Sequence, residues 1–283
     1  MDRCAGAWAA RRSDAPSQIR FCRPDHTLPI SLTGTRCALQ CAHCGGHYLR
    51  GMVSIDRADP DGMTSCLISG GFDRHGRLPV WRCLPRVVEL RDGRVLNWHL
   101  GMIDEVELLK LLPYVDVISF DIFGDDATVR EVYGLDYRAL DYLNTYEMLH
   151  RHARVVPHLT LGLHAGRFSG EYDALGALQA IGLEALVLLV FRPTKGTRYA
   201  TCEPPPLSEV AHFLLTARRA LPDTPIYLGC MRPGGRYRRD LDALAVWAGV
   251  DKIVNPAPSA VRLSAELQLD VEWEEECCAI ARL

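Results

Sequence analysis

The sequence predicts an α/β chain folded as a (β/α)8 barrel of the TIM type, complete or reduced to six core units, with a doubly wound open sheet as the alternative. Three observations carry the prediction. Short apolar segments of strand type recur eight times, near 28–33, 65–69, 95–100, 115–121, 155–163, 185–191, 225–230 and 252–255. Segments with helical spacing separate them, the alternation that produces a parallel sheet wrapped in helices. The length, 283 residues, suffices for one such barrel, which takes about 250.

The segments run in order as follows. The first strand, around Leu28 and Ile30, leads into a loop rich in Cys and Gly, and a helix is expected over 46–60. After the strand at 65–69, Val80, Leu84, Val87 and Val88 share one helical face. After 95–100, Ile103, Val106, Leu109 and Leu112 share another. Later helices are expected near 138–152, 171–182, 206–220, 239–248 and 258–268, the third led in by Pro204, Pro205 and Pro206. Residues 1–26 read as an N-terminal extension, 27–269 as the barrel, and 270–283 as a C-terminal tail packing on it.

Composition narrows the function classes. Apolar residues make up 48% and charged residues 24%, a globular balance. The net charge of −3 gives no electrostatic case for a nucleic-acid or membrane partner. The N-terminal stretch lacks the apolar core of a secretory signal, and no apolar run approaches a membrane span. Eleven cysteines, an odd number in a long chain, argue against a disulfide scaffold and for thiols in a reducing compartment, so a cytoplasmic location is expected.

Cys37, Cys41 and Cys44, spaced C-x3-C-x2-C in ISLTGTRCALQCAHCGGHYLRGM, follow the first strand directly. Three thiolates on a short loop can each hold one iron of a cubane cluster, leaving the fourth iron open to a ligand that is not protein. Zinc held with His43 or His47, or three unrelated buried thiols, are the competing readings. Ligands of such barrels sit at the C-terminal ends of the strands. Ser69, Gly70 and Gly71 in CLISGGFD lie there. So do Asn97 and His99 on the third strand, Asp121 on the fourth, His158 and His164 on the fifth, and Arg192 on the sixth. Arg192 suits a carboxylate through a bidentate pair. The bland alternative for all of them is a set of satisfied barrel-layer polar groups. Cys22, Cys66, Cys230, Cys277 and Cys278 could be brought together around the barrel to hold a second cluster, or be buried thiols.

The cysteine motif, after the first strand of an expected (β/α) barrel, resembles the radical S-adenosylmethionine (SAM) superfamily. The resemblance implies a 4Fe–4S cluster on Cys37, Cys41 and Cys44 whose open iron binds SAM, with one-electron cleavage to a 5′-deoxyadenosyl radical. It further implies that Gly70 and Gly71 bind the SAM amino group and that His43, standing where the family usually has an aromatic residue, stacks on adenine. Gly162, Gly166 and Glu171 of LGLHAGRFSGE resemble the element that contacts adenine and ribose, and Asn97, His99 and Arg192 would hold other parts of SAM. Phe72 departs from the usual acidic residue after the glycines, with Asp73 next.

The wider strings SLTGTRCALQCAHCGGHYLRGM, CLISGGFDRHGRLPV, LGCMRPGGRYRRDLDALAVWAGVDKIVNPAPSA and EEECCA resemble the biotin-synthase-related subgroup, which includes one component of the two-protein lipoyl synthase. That resemblance implies a sulfurtransferase acting on an octanoyl-lysyl chain of a lipoyl carrier domain or H protein. It also implies an auxiliary 4Fe–4S cluster as sulfur donor, a sister radical SAM protein, and a ferredoxin- or flavodoxin-type electron donor. The alternatives within the superfamily are biotin-type thiolation, rearrangement or methylation; outside it, a non-catalytic iron–sulfur electron carrier.

Overall fold

A computed structural model describes residues 18–280, so Cys4 lies outside the described residues. Eleven strands form one curled, all-parallel sheet. They are β1 (Gln18–Cys22), β2 (Thr27–Ser31), β3 (Val53–Ser54), β4 (Ser65–Ser69), β5 (Val95–Leu100), β6 (Val117–Ile122), β7 (Val155–Leu161), β8 (Leu186–Val190), β9 (Ile226–Leu228), β10 (Lys252–Val254) and β11 (Asp270–Glu274). The helices between them are α1 (Leu84–Arg91), α2 (Glu105–Leu111), α3 (Ala139–His152), α4 (Glu171–Ile181), α5 (Leu207–Ala220), α6 (Gly235–Trp247) and α7 (Pro258–Glu266).

All eight expected strands are present. The barrel begins earlier than expected, however. β1 falls inside the stretch read as an extension, pairs with β10 at Arg20↔Lys252, and runs into β2, which pairs with β4 at Thr27↔Ser65. Counting β1 and β2 as halves of one split stave gives eight staves. β11 lies on the other side of β1, so the tail is part of the sheet.

Two expectations about helices fail. Residues 46–60 hold no α-helix but two 3-10 turns, His47–Gly51 and Ile55–Arg57, flanking β3. Gly45 and Gly46 take positive φ there, which interrupts any helix. In α2, Val106 and Leu109 are 63% and 49% exposed, while Leu108 and Leu111 are buried. The helix starts only at Glu105, capped by the Asp104 side chain, so Ile103 is outside it and the buried stripe is one residue out of phase. Val88 of α1 is also exposed.

Alternation along the strands divides the core in two. The larger cluster lies between sheet and helices, with Ile68, Trp98, Phe120, Leu188 and Phe213 among its members. A smaller one joins Cys22, Val117, Val156, Val187, Tyr227 and Val254 to Cys278, Ala279 and Ile280. Side chains from six different strands meeting one segment must point inward, so residues 278–280 fill the lumen beside the N-terminal halves of β6 and β7. Glu276 anchors this plug. Its carboxylate accepts from Thr27, Thr64 and Ser65, and its carbonyl from the Cys22 thiol at 2.6 Å.

The stave ends around β9 and β10 are tied by a fully buried ion pair. Arg232 donates to both Asp242 oxygens at 2.7 and 2.9 Å and to the Gly229 and Val254 carbonyls. Asp242 also accepts from the Ala257 amide at 2.7 Å. Removing one partner strands a buried charge, so Asp242→Ala is expected to cost about 3–5 kcal/mol in urea unfolding; a loss below about 1 kcal/mol would contradict this reading of the pair.

Candidate functional site

The cysteine loop rises from the C-terminal end of β2 and is held by backbone contacts to three parts of the barrel rim. Ala38 N–H donates to Phe72 O, Ala42 N–H to Val132 O, and Tyr199 N–H to Ala42 O; Leu32 N–H donates to Ser69 O. Cys37, Cys41 and Cys44 are free and half-buried. Burial pushes the Cys41 thiol up to about 12, with the neighbouring Cys44 and Cys37 adding to the rise. Burial also raises Cys44, while the amides of Gly46, His47 and Tyr48 oppose that rise by facing its sulfur. Buried thiols facing one another are costly as free thiolates and well suited to a bound cation. N–H groups aimed at sulfur are among the features that tune iron–sulfur clusters. The donor set therefore fits a cluster held by three thiolates. Among the described residues no three His, Cys, Asp or Glu groups are gathered tightly enough to chelate a single ion. A cubane does not need that, because each of its thiolates binds a different iron.

Glycine at 71 is what lets the loop sit there. A Cβ at this position would lie 1.9 Å from Arg36 O and 2.6 Å from Cys37 Cα. The Gly71 amide donates to Thr33 Oγ1 at 2.7 Å. Gly70 is tight against Leu32 and Thr33, and Ser69 Oγ donates to His99 O at 3.3 Å. These residues thus buttress the cysteine loop from behind. His43 is turned inward, with its ring 5.4 Å from Tyr133 and its Nδ1 without a hydrogen-bond partner. Burial lowers it to about 4, so it is neutral. Tyr133 ends a π-helical turn, Val129–Tyr133, and together with Tyr48 it frames His43. No sequence signal marked either tyrosine.

Below the loop the lumen is polar. His99 Nε2 lies 3.4 Å from Asp121 Oδ1, and the His99 and His158 rings stack at 5.7 Å. Asn97 Oδ1 accepts from Ser119 Oγ at 3.0 Å. His99 and Asp121 keep about a third of their side-chain surface accessible (31% and 34%) although they lie deep in the protein, so they face an internal space. Burial opposes charging both groups. Each nevertheless favours the other's charged form, so His99 is raised and Asp121 lowered.

Four of the five cysteines expected to hold a second cluster converge in this lumen. Cys277 and Cys278 have their sulfurs 4.0 Å apart. Asn97 Nδ2 donates to Cys277 Sγ at 3.6 Å, and Cys278 Sγ is 3.9 Å from His158 Nε2. Cys230, at the end of β9, keeps accessible surface deep inside and is electrostatically coupled to Cys277. Cys22 feels both Cys230 and Cys277, and burial pushes it up to about 12. The Cys278 thiol facing Cys277 pulls Cys277 down to about 6. Cys66 is separate, because it alternates with Ser65 and faces the helices, where it joins the outer core.

No family model matches the chain, and no curated protein matches it. Solved structures do. Methylornithine synthase (PylB) aligns over 95% of this chain and 88% of its own at 13% identity, TM-score 0.67. HydG, a maturase of the FeFe-hydrogenase, aligns over 93% of this chain and 65% of its own at 13%, TM-score 0.64. The HMG-CoA lyase of Brucella melitensis aligns over 91% and 93% at 10%, TM-score 0.55. The chain has their barrel fold. What is shared at these identities is the fold, and a barrel hosts many chemistries; the choice among them rests on the residues of the site.

The other expected ligand residues are placed as follows. Glu171 is buried at the start of α4, its Oε1 accepting from Gly162 N–H at 2.8 Å and its Oε2 from Ser169 N–H at 2.7 Å. It thereby pins the loop after β7. Gly162 has φ +68 and abuts Pro205, where a Cβ would come within 2.7 Å. Gly166 likewise backs onto Glu203. Arg192 is exposed on the rim after β8 and is electrostatically coupled to Tyr48. His164 pairs with Glu131 at 3.0 Å on the outer rim. No helix of the described residues is long and apolar enough to cross a membrane.

Proposed function

We propose that the protein is a radical SAM enzyme that inserts sulfur at an unactivated C–H bond of an octanoyl-lysyl chain on a lipoyl carrier domain or H protein. One observation carries the reading. Two separate sets of cysteines face one barrel interior, the three-thiolate loop at its mouth and Cys22, Cys230, Cys277 and Cys278 deeper in. Sulfur insertion needs a radical source and a sulfur source within reach of one carbon. Two centres in a common lumen supply that proximity.

Cys37, Cys41 and Cys44 would hold the cluster, and with SAM bound to it that cluster supplies a 5′-deoxyadenosyl radical that removes hydrogen. The chain's own residues bind, orient and exclude water. Ala279 and Ile280 stopper the lumen, and Asn97, His99 and Asp121 line the space between the two cysteine sets. Cysteines of the deeper set hold the auxiliary iron–sulfur centre as sulfur donor. A sister radical SAM protein would insert the other sulfur, and a ferredoxin- or flavodoxin-type protein would deliver the electron.

A second reading, biotin-type thiolation, is favoured by that same polar wall, which suits a substrate with its own hydrogen-bonding head better than a bare alkyl chain. Anaerobic turnover with octanoyl-lysyl peptide against dethiobiotin decides between them. Cys230→Ala and Cys278→Ala are each expected to stop thiolation while iron falls to about four per chain, the complement of the loop cluster. Cys66→Ala is expected to change neither. Unaltered iron and sulfide in both lumen variants would overturn the auxiliary centre.

A further inference from the structure

The lower cysteine set has a neighbour of a different donor type. His158 stands on β7, 7% exposed, and its Nδ1 lies 3.0 Å from the carbonyl of Val156. A carbonyl can only accept, so Nδ1 carries the proton and Nε2 presents a lone pair. That lone pair faces Cys278 Sγ at 3.9 Å. An imidazole whose far N–H is pinned by a backbone carbonyl is the usual arrangement of a metal-binding histidine. The spacing also fits. With metal–sulfur and metal–nitrogen bonds of about 2.3 and about 2.0 Å, two donors on one tetrahedral metal lie about 3.5 Å apart, a few tenths of an ångström less than seen.

The fifth candidate donor is differently placed. Cys22 is 0% exposed, and its thiol is committed to the Glu276 carbonyl at 2.6 Å. Cys230 by contrast keeps accessible surface in the lumen. We propose that His158 Nε2 and Cys278 Sγ share one iron of the auxiliary centre, with Cys230 and Cys277 on the other and Cys22 outside the ligand set. Two protein donors on one iron is the pattern of a two-iron centre, since each iron of a cubane takes one. This inference rests on the auxiliary centre proposed above. It departs from the sequence-based expectation of a second cubane.

The test uses the full chain carrying Cys37→Ala, Cys41→Ala and Cys44→Ala, which removes the loop cluster. It is grown with 15N-histidine, reconstituted anaerobically and reduced. About two irons and about two sulfides per chain are expected, with a 15N hyperfine coupling in pulsed EPR. Adding His158→Cys is expected to keep the iron and erase the coupling. Iron without a histidine coupling overturns the ligand assignment alone. About four irons per chain overturns the shared iron. Absence of iron here, with no more than about four irons in the unsubstituted chain, overturns the auxiliary centre and this proposal with it. Should the triple variant misfold, the unsubstituted protein gives the same coupling at temperatures where a two-iron signal outlasts a cubane's.

Discussion

Cys41→Ala is expected to remove the loop cluster altogether and abolish reductive SAM cleavage, with 5′-deoxyadenosine at background under dithionite. Cys41 is the middle one of the three loop thiols. It lies two residues after Leu39 and directly before Ala42, both buried, and its thiol is raised by burial and by both partners. A cubane left with two thiolates has two open irons and no third anchor, so loss of about four irons per chain is expected rather than a partial occupancy. The proposed lumen centre draws its donors from other segments of the chain and should survive. Mössbauer spectra of the variant therefore separate the two centres. Retained SAM cleavage would refute the radical SAM reading; loss of both iron pools would show that the centres do not assemble independently.

Gly71→Ala carries the second largest expected effect, and it acts without touching a ligand atom. The added methyl would overlap Arg36 O, which is backbone and cannot swing aside. Either the β4 end or the cysteine loop must shift. Overpacking of this kind costs about 1–3 kcal/mol or more, a fall in Tm of about 2–10 °C in a domain of this size. Because the loop is the weaker element, iron content after reconstitution should fall with it. Gly176→Ala on α4, where a Cβ meets nothing within 4 Å, is the control and should leave Tm unchanged or slightly higher. An unshifted Tm with full iron loading in Gly71→Ala would mean that the close approach is not what seats the loop.

The loop thiols were legible in the sequence because their spacing is local and follows a strand whose apolar run is plain. Cys66 was not separable by type, yet the period of two would have removed it. It alternates with Ser65, which points into the lumen beside Thr27 of the neighbouring strand and bonds Glu276. The roles of Gly71 and Glu171 were hidden for another reason. Both satisfy backbone brought close by tertiary packing, which residue identity alone does not reveal. The split first stave escaped as well, since residues 18–22 form a strand only by lying between β10 and β11. The phase of α2 was missed because its start depends on the Asp104 cap.

That split stave has a temporal consequence. Its lower half is flanked on one side by a strand that the ribosome makes some 250 residues later, Gln18 pairing with Asp270. At about 5–20 residues per second, the floor of the barrel stays unfinished for roughly 10–50 s of synthesis. Maturation of the proposed deep centre would then follow translation, whereas the mouth loop is complete early in the nascent chain.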